Sequence, residues 1–162
     1  MLNKESVYNY VQYEILKRAG EMQKALKSQK DSLKTASEST AGDKHNTSRA
    51  MMHIEEEKLG KQLAQLLQLK KVLSSINPKK QSIEVTLGSF IETNKGYLYI
   101  AIPLGRIELE NTSIMCISLA SPIGQTLQSK KAGEKQKSEI GMSIPRISIS
   151  RLEEEVIGVY SP

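Results

Sequence analysis

The sequence predicts an α+β protein: an antiparallel helical hairpin over residues 1–76 and a small β-rich domain over residues 82–162. Helix-forming residues (Leu, Ala, Lys, Gln and Glu) dominate residues 1–76, which contain no proline, whereas Ile, Val, Thr, Ser, Gly and Pro become frequent after Pro78. The charge changes at the same place. Up to residue 80, 15 Lys and Arg stand against 9 Asp and Glu, a net +6; the remainder has 8 against 9, a net −1. We therefore predict a linker at residues 77–81.

The first helix is predicted over residues 4–36 and the second over residues 47–76, because both stretches carry apolar residues at coiled-coil spacing. In the first helix this seam consists of Ile15, Ala19, Met22, Leu26 and Leu33, and Gln29 interrupts it. In the second helix the residues spaced seven apart are Met52, Leu59, Leu66 and Leu73. Two apolar seams joined by a short polar segment predict an antiparallel coiled coil.

The hairpin tip is predicted at residues 41–46, which read Ala-Gly-Asp-Lys-His-Asn. A helix of about 30 residues is about 45 Å long, so the tip lies far from the second domain. Asp43 is the carboxylate of this segment. From the residues alone, the preferred interpretation is that Asp43 caps the second helix, since Asp is favoured at that position.

In the second half, residues 82–93, 96–103 and 112–120 are rich in Ile, Val, Thr and aromatic residues and are predicted as strands. A short helix is predicted over residues 122–130. Ser121 is a suitable N-cap and Pro122 a suitable first helical residue.

Composition excludes several classes of protein. One cysteine cannot form an internal disulfide, there is no signal-peptide pattern, and no apolar run is long enough to span a bilayer, so we expect a cytoplasmic protein without a membrane partner. Seven aromatic residues argue against an aromatic-lined ligand pocket or a base-stacking surface. The basic hairpin is compatible with an acidic partner or a polyanion, but it is not specific for nucleic acid.

Few residues suggest catalysis or metal binding. His45 and His53 are the two histidines, and with Asp43 they do not make a closed metal site, so we interpret them as surface residues. Cys116 lies in an alternating apolar run and is predicted to be a buried core thiol rather than a nucleophile. The chain has no phosphate-binding glycine motif.

Several segments resemble the bacterial Gre transcript cleavage factors, and the closest likeness is to the divergent Gre-like proteins of Bacteroidetes-type bacteria. The segments are the Ala-Gly-Asp-Lys tip at 41–44, Arg-Ala-Met at 49–51, VTLGS at 85–89, SPIGQTL at 121–127 and KKAGE at 130–134. The SPIGQTL segment with its Lys-Lys-x-Gly-acid continuation is the most specific of them. The resemblance covers nearly the whole chain in the same domain order and departs most from about Ser138 onward.

The resemblance implies an FKBP-like second domain that binds RNA polymerase and a hairpin that enters the polymerase's secondary channel. In that family, acidic residues at the tip help hold the second Mg²⁺ and the attacking water in the polymerase active site, and backtracked RNA is cleaved. The chain is then an accessory factor and not an enzyme. It has no cofactor of its own, since the Mg²⁺ is held jointly with RNA polymerase, and it has no small-molecule substrate. It meets transcript RNA and DNA indirectly, through the elongation complex.

Carried over by position, Asp43 matches the first tip carboxylate and is the implied metal ligand. Asn46 falls where the family has a second carboxylate; an amide oxygen can bind Mg²⁺ but brings no charge. The implied polymerase-binding residues are Ser121, Pro122, Ile123 and Gly124.

Four functions remain open at this point. The first is a Gre-like factor that promotes RNA cleavage. The second is a Gre-like channel binder that modulates or inhibits polymerase without cleavage, because Asn46 lacks a charge. The third is an FKBP-like prolyl isomerase or chaperone, which the scarcity of aromatic residues disfavours. The fourth is a coiled-coil adaptor, which leaves the segment at 121–134 unexplained.

Overall fold

A computed structural model describes residues 2–38, 44–133 and 149–152, and it confirms the predicted α+β class. The elements in chain order are α1 (Lys4–Glu38), α2 (Lys44–Ser74), β1 (Phe90–Thr93), β2 (Gly96–Ala101), β3 (Gly105–Leu109), β4 (Thr112–Ser118), α3 (Pro122–Leu127) and β5 (Ile149–Leu152). The chain forms two compact units. One is Gln12–Lys71; the other combines Met1–Val11 with Val72–Pro162. A division by contacts in space does not test where a linker lies in the sequence. The linker at residues 77–81 therefore stays a prediction.

The helical unit, Gln12–Lys71, contains most of α1 and α2, which run antiparallel as predicted. Lys30 lies within 3.9 Å of Glu56, while Ala36, further along α1, accepts a hydrogen bond from Arg49, earlier on α2. The seam residues are buried or half-buried. Helix α1 ends two residues later than predicted and α2 begins three residues earlier, at Lys44.

The start of α1 is fixed by a reciprocal pair of hydrogen bonds. The Asn3 side-chain oxygen accepts from the Ser6 amide at 2.7 Å, and the Ser6 hydroxyl oxygen accepts from the Asn3 amide at 3.0 Å. Two backbone N–H groups at the helix start thereby gain partners, which is the arrangement of a capping box. No helix in the described part of the chain is both long enough and apolar enough to cross a membrane.

The β-rich unit contains a mixed five-stranded sheet in the order β3-β4-β2-β1-β5. Strands β2 and β4 pair in parallel, and every other neighbouring pair is antiparallel. A two-residue turn joins β3 to β4, and its residues Glu110 and Asn111 have φ of 49° and 59°. Positive φ at both turn positions is the geometry that matches the twist of a tight hairpin.

Helix α3 covers one face of this sheet. Leu127 of α3 is enclosed together with residues from three strands and from the segment before β1, and Ile123 packs against the same cluster. The buried members of this cluster are Val85, Ile91, Leu98, Ile100, Leu127 and Ile149.

The opposite face of the sheet carries Tyr99, Ile114 and Cys116, which are also buried. The same unit holds the buried helical residues Val7, Val11 and Leu73, and the buried Ile76, which lies two residues beyond the end of α2. Ile76 reaches the loop before β1, since a Cβ on Gly88 would lie 2.7 Å from its Cγ2. We infer that the two helix ends supply the cover of this second face.

The predictions for the second half of the chain need three corrections. Of residues 82–93, only Phe90–Thr93 forms a strand, because the Ser82 and Ser89 hydroxyls bond nearby backbone amides and Gly88 has a φ of +92°. Strands β3 and β5 were not predicted. Helix α3 ends at Leu127 rather than at residue 130, since Gln128 is extended and Ser129 has a φ of +61°.

Candidate functional site

The predicted tip, residues 41–46, overlaps the start of α2: residues 44–46 form the first turn of that helix, which begins at Lys44, and α1 ends at Glu38. Asp43 is outside the described residues, and so is the side chain of His45. Asn46 is exposed in the first turn of α2, so its amide is accessible to a partner. Among the residues that the structure describes, no three His, Cys, Asp or Glu side chains come together as a metal site. The metal role of Asp43 stays a prediction.

Close to the tip, Arg49 links α2 to the end of α1. Its Nη2 donates a hydrogen bond of 2.6 Å to the carbonyl oxygen of Ala36, and its side chain is half-buried. Ala36 is among the last four residues of α1, whose carbonyl groups have no partner within the helix. No local pattern in the sequence predicts this role for Arg49.

A second polar link between α1 and α2 lies one to two helical turns further from the tip. Gln29, the residue that interrupts the apolar seam of α1, donates from Nε2 to the carbonyl oxygen of Met52 at 3.2 Å. On the neighbouring positions, Lys30 Nζ lies 3.9 Å from a carboxylate oxygen of Glu56. The interruption of the seam is therefore a contact between the two helices.

The acidic run at residues 55–57 forms ion pairs on the helix surface. Glu55 lies 3.7 Å from Lys58, and Glu57 lies 2.7 Å from Lys61. The hydrogen bond from Lys61 lowers the pKa of Glu57 below its usual value. Glu56 approaches both Lys30 and the exposed His53, whose Nδ1 is 3.6 Å away. These contacts identify the run as a solvated helix face, as the sequence predicted for His53.

Residues 121–124 begin α3, and three of them are held by the fold. The Ser121 hydroxyl accepts from the Gly124 amide at 3.0 Å and donates to the Ser118 carbonyl at 2.7 Å, so Ser121 is the predicted N-cap. Pro122 follows as the first helical residue and is exposed. Ile123 packs on the core cluster.

Gly124 is buried at a close approach of two backbone segments. A Cβ at this position would lie 2.3 Å from the Ser118 carbonyl oxygen and 2.7 Å from that of Leu119. Only glycine fits there without a backbone shift. Packing and capping therefore account for Ser121, Ile123 and Gly124, while Pro122 is the exposed member of the four. The polymerase-binding role of residues 121–124 stays a prediction.

The remaining chemically notable residues of this unit lie in the core. Cys116 is buried, as predicted, and its burial raises the pKa of the thiol from 9.0 to about 12, so it is a neutral thiol at physiological pH. Tyr99 is fully buried, and Phe90 stacks on Tyr97 with ring centroids 5.5 Å apart. Tyr99 cannot line an open proline-binding pocket.

No family model and no curated protein matches the sequence. The chain is similar to the crystal structure of GreA factor homolog 1 (Gfh1) from Thermus thermophilus, with 16% sequence identity and a TM-score of 0.35. The match covers 87% of this chain and 93% of that chain.

Proposed function

We propose that this chain is a Gre-like transcription factor that binds RNA polymerase and promotes cleavage of backtracked RNA. The observation that carries the proposal is the placement of the Gly42-Asp43 segment between two antiparallel helices of 35 and 31 residues. A helix of 31 residues is about 45 Å long, which suits an arm that delivers a side chain into a deep channel. The resemblance at residues 121–134 supports the same family assignment independently of the tip.

In this proposal, the tip supplies oxygen ligands to a metal ion that the partner holds. The Asp43 carboxylate and the Asn46 amide are hard oxygen donors, the kind that Mg²⁺ prefers. Two such donors do not complete an octahedral site, so the ion must be held jointly with polymerase carboxylates. A bound Mg²⁺ activates water and stabilises the charge that develops during phosphodiester hydrolysis.

The test is RNA cleavage in purified, stalled elongation complexes. We expect the wild-type protein to raise the cleavage rate and Asp43→Ala to abolish the increase, with Asp43→Asn as the variant that keeps the shape and an oxygen but removes the charge. Lys58→Met, on the exposed surface of α2, is the control and should raise the cleavage rate as the wild type does. No increase with wild type overturns the proposal.

A second candidate is a channel binder that modulates or inhibits polymerase without cleavage. It is favoured by Asn46, which is exposed in the first turn of α2 and presents an uncharged amide where the family has a carboxylate. In this case Asn46→Glu should create cleavage activity that the wild type lacks. Equal cleavage by the two proteins argues against this candidate.

Polymerase binding is tested separately from cleavage by co-purification. The variants should change exposed side chains of α3 and leave the helix start intact, since Ser121 and Gly124 are needed for folding. Gln125→Ala meets this condition, and we expect weaker co-purification with unchanged thermal stability. Pro122→Ala should also lower thermal stability slightly, because Pro122 is the first helical residue, so its co-purification is measured well below its unfolding temperature. Unaltered binding by both variants removes α3 from the interface.

A further inference from the structure

Three polar contacts between α1 and α2 lie in the half of the helical unit nearest the tip. They join Gln29 to Met52, Lys30 to Glu56 and Arg49 to Ala36. Nearer the other end of the same unit, Ile15 and Ala19 are buried apolar residues. Apolar side chains tolerate small shifts along a seam, whereas a hydrogen bond to one carbonyl fixes a register.

Arg49 makes the contact closest to the tip. Its partner carbonyl, on Ala36, precedes the end of α1 at Glu38 by two residues, and Arg49 itself lies five residues after the start of α2. The donor is a charged guanidinium and the bond is 2.6 Å long, which places it among the strong charge-assisted hydrogen bonds. The bond therefore ties the last turn of one helix to the second turn of the other.

We propose that Arg49 is a positioning residue for the hairpin tip, acting through the end of α1. By holding the Ala36 carbonyl, it fixes the separation and register of the two helix ends that residues 39–43 must join. The consequence for cleavage rests on the proposed function, because Asp43 is then the group whose placement matters. A misplacement of about 1 Å at a reacting centre costs roughly a hundredfold in rate.

The structural part of the proposal is tested on the free protein. Spin labels at the exposed positions Glu38 and Met51 report the distance between the two helices near the tip, in a Cys116→Ala background. We expect a narrow distance distribution in wild type and a broadened one in Arg49→Met, which removes the guanidinium and retains an unbranched side chain. Arg49→Lys, which keeps a cationic donor, should restore much of the narrow distribution.

The matched control is Lys58→Met, which removes one positive charge from the same helix. Lys58 is exposed and pairs with Glu55 on its own helix, so its loss breaks no contact between α1 and α2. A narrow distribution in Arg49→Met, or equal broadening in the Lys58→Met control, overturns the proposal.

The functional part is tested by titrating each variant against stalled elongation complexes. We expect Arg49→Met to lower the maximal cleavage rate by about ten- to a hundredfold while the half-saturating concentration stays the same. A raised half-saturating concentration with an unchanged maximal rate assigns Arg49 to docking and overturns the positioning role. If the wild-type protein itself stimulates no cleavage, the proposed function fails, and the distance measurement still decides whether Arg49 holds the helix ends.

Discussion

Gly124 shows how a single residue of the segment at 121–127 is explained by packing. The carbonyl oxygens of Ser118 and Leu119 occupy the space that a Cβ would need. Gly20 and Gly60, in the middle of α1 and α2, have no atom within 4 Å of such a Cβ. The same substitution should therefore have opposite effects at these positions.

We expect Gly124→Ala to lower the free energy of unfolding by about 1–3 kcal/mol, because the backbone must shift to admit the methyl group. Gly20→Ala should raise it by about 0.5–1 kcal/mol through helix propensity. Urea unfolding monitored by circular dichroism measures both. Destabilisation by Gly20→Ala, or no loss in Gly124→Ala, contradicts the packing that the structure shows.

Cys116 should be unreactive in the folded protein. Burial raises its pKa to about 12, so the thiolate is scarce at pH 8, and the thiol is also enclosed. A chromogenic disulfide reagent should react slowly in buffer and rapidly in urea. Fast reaction of the folded protein counts against the burial of this side chain.

The same pKa has a consequence for stability at high pH. Between pH 9 and about 12 the unfolded thiol loses its proton while the folded thiol keeps it, so the unfolded state binds fewer protons. The contribution of Cys116 to stability is therefore complete below pH 9 and falls as the pH rises towards about 12. Cys116→Ala should remove this part of the decline in urea unfolding measured across that range, and an unchanged decline contradicts it.

Among the elements, the helices could be predicted and part of the sheet could not. The seams of α1 and α2 repeat over many turns, so a local pattern specifies them, and the cap and proline at Ser121 and Pro122 specify the start of α3. Strand β5 is four residues long and forms by pairing with the distant β1, which no local pattern reveals. Strand β3 did leave a signal, an alternating Ile107 and Leu109 before a two-residue turn.

At the candidate site, the roles of Asp43 and Asn46 come from the family resemblance and stay predictions, since the residues alone indicate a helix cap. The contact of Arg49 could not be predicted, because it depends on the carbonyl of a residue 13 positions away on the facing helix. Interhelix register is a property of the pair and cannot be read from either helix alone.

We expect Gln29→Leu to stabilise the helix pair and loosen its register. A leucine completes the apolar seam, and the hydrogen bond to Met52 that specifies one alignment is lost. The gain should be about 1 kcal/mol in thermal unfolding. Gln29→Ala, which removes the bond without adding apolar volume, is the control and should destabilise. A loss of stability in Gln29→Leu contradicts this account of the seam.

At the level of the whole molecule, the chain leaves the β-rich unit at Val11 and returns to it at Val72. Val7, Val11, Leu73 and Ile76 are buried, and all of them lie outside residues 82–162. Lys4 also donates from Nζ to the Lys80 carbonyl within this unit. The β-rich unit thus includes the start of α1 and residues 72–76, at and just beyond the end of α2.

We therefore predict that residues 82–162 alone do not fold cooperatively, whereas a chain that joins residues 1–11 to residues 72–162 does. Packed antiparallel helices lie 8–10 Å apart, a gap that a linker of about four glycine and serine residues can span. Far-ultraviolet circular dichroism with urea, and the dispersion of amide proton resonances, measure folding in both. The fragment of residues 82–162 should lack a sigmoidal transition, because removing Ile76 and Leu73 exposes the sheet face and the loop at Gly88.

Variants of the linked chain test whether it folds because of its buried helical residues or merely because it is longer than residues 82–162. Val7→Asp and Leu73→Asp place a charge at fully enclosed positions and should abolish its transition, while Glu5→Lys, at an exposed position of the same helix turn, should not. If residues 82–162 alone unfold cooperatively, with the same urea midpoint as the linked chain, the domain boundary lies at the predicted linker, residues 77–81. The absence of that cooperative transition, together with folding of the linked chain, makes the helical unit an insertion into the β-rich unit. The linked chain then provides a test of the proposed polymerase binding in the absence of the tip.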